Sequence, residues 1–278
     1  MRSRSGSQRQ AMATPFISIA IITKDSGRTL EACLKSIVAQ HYSAHEIIIV
    51  DALSRDATLE IAGRYAHRAV SLDAHFTKSR NVGFSYAKGD ILLSVDSDMV
   101  LEAGLLGDIA SRMDGHGALV IPELGYGRSF LSRLKSLEKR CYIGDPYMES
   151  ARAFSRKAFD AVAGYDESLV FGEDRDIHCR IAASFPVGRT ERRLYHNTDG
   201  LSFGADIRKF YRYGGSARSY VSKKIPGTKK VLSPSRFLFL GHGRILIQSP
   251  IESLGLIWLK GAESAAFGLG YLLSGRGR

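Results

Sequence analysis

Along the chain, short unbroken apolar runs alternate with stretches in which apolar residues recur at helical spacing. Residues 17–22, 47–50 and 91–95 are continuous and rich in β-branched side chains, a pattern that predicts strands buried on both faces. Residues 69–72 read as a further strand. Between the runs, Leu30, Cys33, Leu34, Ile37 and Val38 fall on one helical face, with Ser26 as the expected cap. Leu59, Ile61 and Ala62 mark a second helix that Asp56 can cap, and residues 79–87 predict a third. Strand and helix in this rhythm imply a mostly parallel sheet covered by helices.

After residue 95 the pattern loosens. Residues 101–113 predict a helix, 118–121 a strand, 130–142 a basic amphipathic helix, and 151–154 with 156–162 a strand and helix. Residues 164–176 read as an acid-rich loop leading into a helix over 177–183. From about residue 201 the chain is helical and basic, then apolar. Residues 255–273 are interrupted by Lys260 and Glu263, and two charges near the centre make a membrane-spanning helix costly. The expectation is a helix lying in the membrane interface or a re-entrant pair broken at its glycines, against the plainer alternative of a terminal helix docked on the core. No unbroken apolar run is long enough to span a bilayer. Residues 1–14 lack the apolar stretch of a secretory signal and read as a disordered tail. The predicted organisation is this tail, a domain over 15–200 and an extension over 201–278.

Charge sharpens that division. The formal net charge is +11, and residues 201–278 hold thirteen Lys and Arg against three acids. A surplus so confined implies a localised anionic partner, such as an acidic lipid surface or nucleic acid. Phe210, Tyr213, Arg218, Lys223, Lys224, Lys229 and Lys230 are placed to face headgroups, and residues 237–240 and 254–273 to enter the interface. Cys33, Cys141 and Cys179 are odd in number and widely separated, which excludes a disulfide framework and fits a reducing, cytoplasmic setting.

Two acidic clusters carry candidate chemistry. Asp96-Ser97-Asp98 follows the strand over 91–95, at the carboxyl end where open α/β sheets bind ligands. Once the chain turns there, one carboxylate can ligate Mg²⁺ or Mn²⁺ while the other reaches a sugar or ribose hydroxyl. Glu173-Asp174 precedes a helix, where acids are favoured by the helix dipole alone, and also suits a general base for an acceptor hydroxyl.

In order and spacing, several motifs resemble glycosyltransferase family 2: the strand over 17–22 with Thr23-Lys24-Asp25, the segment ending at Asp51, Ser79-Arg80-Asn81-Val82-Gly83, Asp96-Ser97-Asp98, and Gly164-Tyr165-Asp166-Glu167 followed by Gly172-Glu173-Asp174. The resemblance runs from about residue 16 to 196. It implies an α/β fold of the GT-A type, a Rossmann-like nucleotide half joined to an acceptor half. Carried over, Thr23, Asp25 and Asp51 line the base and ribose pocket, Arg80 sits near base or diphosphate, and Asp96 contacts ribose or the metal shell. Asp98 ligates a divalent Mn²⁺ or Mg²⁺ with Asp96 and His196 beside it, and Asp174 with Glu173 is the catalytic base. Ala52 stands where the family often has a second acid, so one contact to the base is missing.

The implied activity is metal-dependent, inverting transfer of a sugar from a nucleotide-sugar donor to a lipid or lipid-linked acceptor, by a peripheral protein on the cytoplasmic face of a membrane. A retaining enzyme acting on a small soluble acceptor shares the Asp-x-Asp site. A non-catalytic nucleic-acid-binding module fits the basic tail, but no nucleic-acid motif is present and unneutralised acids repel phosphates. Acceptor choice is expected to lie in the loop shape around residues 125–147.

Overall fold

The computed structural model describes residues 14–233 and 242–274. Nearly all of the expected tail over 1–14, and the apolar run 237–240, lie outside the described residues. The strands are β1 (Ile17–Thr23), β2 (His45–Asp51), β3 (Arg68–Ser71), β4 (Ile91–Asp96), β5 (Met99–Leu101), β6 (Ala118–Val120), β7 (Glu123–Tyr126), β8 (Ala151–Ser155), β9 (Val187–Arg189) and β10 (Leu194–Asn197). The helices are α1 (Leu30–Val38), α2 (Thr58–Gly63), α3 (Phe76–Ser85), α4 (Leu105–Arg112), α5 (Phe130–Tyr142), α6 (Arg156–Ala161), α7 (Glu173–Ala182), α8 (Phe203–Ser222), α9 (Thr228–Val231), α10 (Gly243–Ile247) and α11 (Pro250–Leu273).

Seven strands form one sheet in the order β3-β2-β1-β4-β8-β6-β9. The β3-β2-β1-β4 half is parallel, and β8 runs antiparallel to both its neighbours. The β-branched runs read as central strands are central. Ile19, Ile21, Ile49, Leu93 and Val95 pack with Leu30, Leu34 and Ile37 on one face, while Ala20, Leu92 and Phe154 pack with Phe84, Phe159 and Ile177 on the other. The fold is α/β of the GT-A type.

A second sheet, in the order β5-β10-β7, was not readable from periodicity. Its strands have three or four residues each, too few to display an alternation. The helix expected over 101–113 therefore splits into β5 and α4, separated by Gly104 at φ 84°. The acidic loop expected over 164–176 ends early, because α7 begins at Glu173. Ser26 does not cap α1 through its side chain; its carbonyl accepts from Thr29 and Leu30, and its hydroxyl meets that of Ser97 at 2.8 Å.

The C-terminal segment corrects the re-entrant expectation. Residues 250–273 form one continuous helix, and Gly270 is a point of contact with α8. A Cβ on Gly270 would overlap the Tyr211 carbonyl of α8, and one on Gly214 of α8 would overlap the Phe267 carbonyl of α11. Lys260 and Glu263 are 2% and 1% exposed and point inward. Lys260 Nζ meets Glu138 at 2.6 Å and Glu263 at 2.5 Å, while Lys135 Nζ meets Glu263 at 2.5 Å and Asp206 at 3.1 Å. These five charges fasten α8 and α11 to α5, so these two helices pack against the sheet-bearing domain. Among the described residues no helix is long and apolar enough to cross a membrane.

Candidate active site

The site forms where β4 ends and the second sheet begins. Asp98 lies in the turn between β4 and β5, and its carbonyl accepts from Asn197 N at 2.8 Å, which seats β10 beside it. This pairing brings His196 Nε2 within 3.0 Å of Asp98 Oδ2. Asp98 Oδ1 is buried and accepts no hydrogen bond from protein. Burial works against protonation of His196, but hydrogen bonding to Asp98 and to Glu123 outweighs it, and the imidazole holds its proton above its ordinary range.

Asp96 has a different environment. Its Oδ1 meets Arg80 Nη2 at 3.1 Å and its Oδ2 meets Arg152 Nη2 at 3.1 Å. Burial opposes its charge, yet Arg152 and Arg80 hold its carboxyl far below the usual carboxylate range. Of the expected metal set of Asp98, Asp96 and His196, the structure brings Asp98 and His196 together, while Asp96 is engaged by two guanidiniums. No group of three or more His, Cys, Asp or Glu side chains suited to a metal ion is found among the described residues. The Asp98–His196 pair still fits a hard divalent ion of the kind that takes one or two protein ligands and completes its shell with water and substrate phosphate.

Arg80, expected beside base or diphosphate, is 5% exposed and held from below by acids. Its Nη1 reaches Glu173 Oε1 at 2.8 Å and Asp174 Oδ1 at 3.1 Å, while Nη2 takes Asp96. Three carboxylates leave it little charge for a diphosphate; it ties the strand-end motif to the start of α7. There, Gly172 at φ 78° turns the chain into the helix, with Tyr220 of α8 packed where a Cβ would stand. Burial, then the charge of Asp174, pushes Glu173 up to about 7 against the pull of Arg80.

The same chain of charges continues through residues that the sequence did not single out. Arg152 Nε donates to Glu123 Oε1, Lys139 Nζ meets Glu123 Oε2 at 2.6 Å, and His196 Nδ1 lies 3.8 Å from the same carboxylate. A cavity of about 280 Å³ opens here, lined by Glu123, Lys139, Tyr142, Met148, Arg152 and Asp174 among others. One signal for Arg152 was available: it is an arginine inside an apolar strand, a position that requires a partner. Glu123 and Lys139 offered none.

Thr23, Asp25 and Asp51 gather in the loops at the carboxyl ends of β1 and β2. Asp51 is fully buried, and both its oxygens are used: Oδ1 accepts from Thr23 Oγ1 at 2.8 Å and from Ser54 Oγ at 2.5 Å, and Oδ2 from Ser54 N at 2.8 Å. Asp25, at φ 47°, accepts from Arg55 N at 2.8 Å and stays exposed. The segment 125–147, read as a specificity loop, is largely the helix α5.

Residues 18–161, more than half of the chain, match the model of Glycosyl transferase family 2. A cholesterol galactosyltransferase of Borreliella burgdorferi is 32% identical over 102 residues, 34% of this chain and 28% of that protein. A PGL/p-HBAD biosynthesis glycosyltransferase of Mycobacterium bovis is 32% identical over 114 residues, 38% of this chain and 44% of that protein. The chain thus spans less than half the length of these curated relatives. A mannosyltransferase from Pyrobaculum calidifontis, solved with GDP-Man and Mn²⁺, aligns with a TM-score of 0.61 at 14% identity, covering 94% of this chain and 88% of that one, a likeness of fold.

Proposed function

Because the chain belongs to glycosyl transferase family 2, we propose that it transfers a sugar from a nucleotide-sugar donor to the hydroxyl of a lipid or lipid-linked acceptor, with inversion at the anomeric carbon. The observation that carries this reading is the acid pair Glu173–Asp174 beside the cavity, joined through Arg80 to the strand-end acid Asp96. Burial and the charge of Asp174 push Glu173 up to about 7, so it holds its proton more readily than an ordinary carboxyl. Asp174 takes the proton of the acceptor hydroxyl as that oxygen bonds to the anomeric carbon, and the bond to the departing diphosphate breaks with its electron pair on the phosphate. Arg80 positions both acids, and the loops around Thr23, Asp25 and Asp51 hold the nucleoside.

Asp98 and His196 would hold a divalent Mn²⁺ or Mg²⁺, which when bound offsets charge on the departing diphosphate. The relative named for cholesterol supports a lipid acceptor. The concentrated basic charge after residue 200 supports work at an anionic membrane surface, and three free cysteines support its cytoplasmic face.

The test is donor binding and hydrolysis across UDP-, GDP- and dTDP-sugars, with Mn²⁺ or Mg²⁺ and with chelator. Recognition of one donor that needs metal and disappears in Asp98→Ala is the expected result. Metal-indifferent recognition overturns the metal assignment, and anomeric NMR of the product showing retention overturns the single displacement.

A further inference from the structure

Helix α11 is built inside out. Its exposed positions include Ile251, Leu254, Ile257, Trp258, Leu269 and Leu272, each between 42% and 72% exposed, and no exposed residue of the helix is charged. With Gly261 and Ala265, also exposed, between Trp258 and Leu269, exposed positions recur every three or four residues and form one stripe along the helix. Its charges face the other way: Lys260 and Glu263 join α5, and Glu252 meets Arg133 of α5 at 3.1 Å. Ile247 of α10, 79% exposed, lies just upstream in the chain, and Trp258 stacks on Phe203 of α8 with ring centroids 5.2 Å apart. Between α8 and α11 runs an apolar groove of about 430 Å³, lined by Phe203, Ile207, Tyr211, Ala266 and Leu269, with Arg208 among them.

The charge around this face has one sign. Among the described residues after 200, the three acids are Asp206 and Glu263, both buried, and Glu252, held by Arg133. Arg208, Lys209 and Arg212 of α8, and Arg244 of α10, are exposed. A second copy of the chain would bring like charges together, whereas an anionic surface complements them.

We propose that this face docks the protein on the anionic leaflet of a bilayer, with α11 lying along the surface. Ile251, Leu254, Trp258 and Leu272 enter the acyl boundary, while Arg208 and Arg212 meet lipid phosphates. The inference rests on the lipid-acceptor reading only for its purpose, and it locates the contact on the outer face of α11. The lysines 223–230 singled out from sequence are partly engaged elsewhere, Lys223 with Asp166 and Lys230 with the Tyr147 hydroxyl at 2.9 Å. Helix α8 also connects this face to the acid pair. Its Tyr213 ring lies 5.6 Å from that of Phe171, two residues before Glu173.

Trp258 is the single tryptophan of the chain and reports on the contact directly. The full chain is mixed with vesicles of phosphatidylcholine alone or with phosphatidylglycerol added, followed by flotation and Trp258 emission. The expected result is flotation with the anionic vesicles, a blue shift of Trp258 and its quenching by brominated acyl chains. Leu254→Glu with Leu272→Glu should weaken partitioning about tenfold or more, and Arg208→Gln and Arg212→Gln about fivefold each. Flotation without change at Trp258 overturns the proposal, as does equal binding to neutral vesicles. A lipid-free dimer by sedimentation, dissolved by Leu254→Glu, overturns it in favour of self-association. If the glutamate variants melt early, quenching in the unaltered protein decides. Donor binding is measured separately, so failure of the unaltered chain to float with donor binding intact overturns this surface and leaves the transferase reading standing.

Discussion

Arg80 donates to Glu173 at 2.8 Å across 93 residues of chain, and the same nitrogen meets Asp174 at 3.1 Å. One guanidinium therefore sets the spacing between the strand-end motif and the acids at the head of α7. Removing it leaves three partly buried carboxylates without their common partner. Arg80→Met should cost about 3–5 kcal/mol of stability, read as a fall in the thermal midpoint. Arg80→Lys should recover only part of this, since one ammonium lacks the planar fork that reaches Asp96 and the acid pair together.

The two acids should separate by substitution. Asp174→Asn is expected to lower kcat by about 10²- to 10⁴-fold with donor affinity unchanged, as loss of a general base does. Glu173→Gln keeps an oxygen for Arg80 and should cost less. Steady-state kinetics beside donor calorimetry distinguish the two, and equal losses would count against the assignment of Asp174.

Stability should fall as pH rises through neutrality. Glu173 and Glu263 are each pushed up to about 7 from 4.5, burial being the largest cause in both. Around Glu263 stand Lys260, Lys135, Glu138 and Asp206. A carboxyl with a raised folded pKa contributes stability that is fully present below about 4.5 and lost as pH climbs past about 7, with a slope of at most about 1.4 kcal/mol per pH unit for each group. Thermal midpoints should fall as pH rises between these limits, and Glu263→Gln should remove its share of the slope.

Metal affinity should depend on a carboxylate that touches no metal. Glu123 lies 3.8 Å from His196 Nδ1 and steadies the ring whose other nitrogen meets Asp98. Loss of such an outer partner typically weakens metal binding about 10- to 100-fold. Glu123→Gln should show this in a Mn²⁺ titration of the donor complex, while Asp98→Asn should abolish the metal dependence altogether.

The contact between α8 and α11 should be intolerant at two glycines and tolerant at a third. Gly214→Ala and Gly270→Ala force a methyl into a facing carbonyl and should each cost about 1–3 kcal/mol. Gly261, in the same helix as Gly270, has nothing within 4 Å of a Cβ. Gly261→Ala should instead gain about 0.5–1 kcal/mol from helix propensity. Denaturant melts of the three variants give the comparison.

The sheet was legible where its strands are buried on both faces, because Ile17, Ile49 and Leu93 sit in unbroken apolar runs that admit few other readings. The second sheet was not, since β5, β7 and β10 carry too few residues to show a period and pair across long separations. The site divides similarly. Asp96, Asp98 and Glu173-Asp174 stood out as acids at element ends, but the meeting of Asp96 with Glu173 and Asp174 through Arg80 is a product of topology that no local pattern encodes. Lys260 and Glu263 argued against a membrane-spanning helix, and no helix among the described residues is long and apolar enough to cross a membrane. Periodicity alone does not tell whether such charges face a partner or the solvent, and here they face α5.

Helix α5 stands between the cavity and the C-terminal helices. Lys139 meets Glu123 in the cavity, and one turn earlier on the same face Lys135 meets Glu263 and Asp206. One face of α5 thus holds β7 through Lys139 and both α8 and α11 through Lys135, so the cavity wall and the C-terminal helices share a single support.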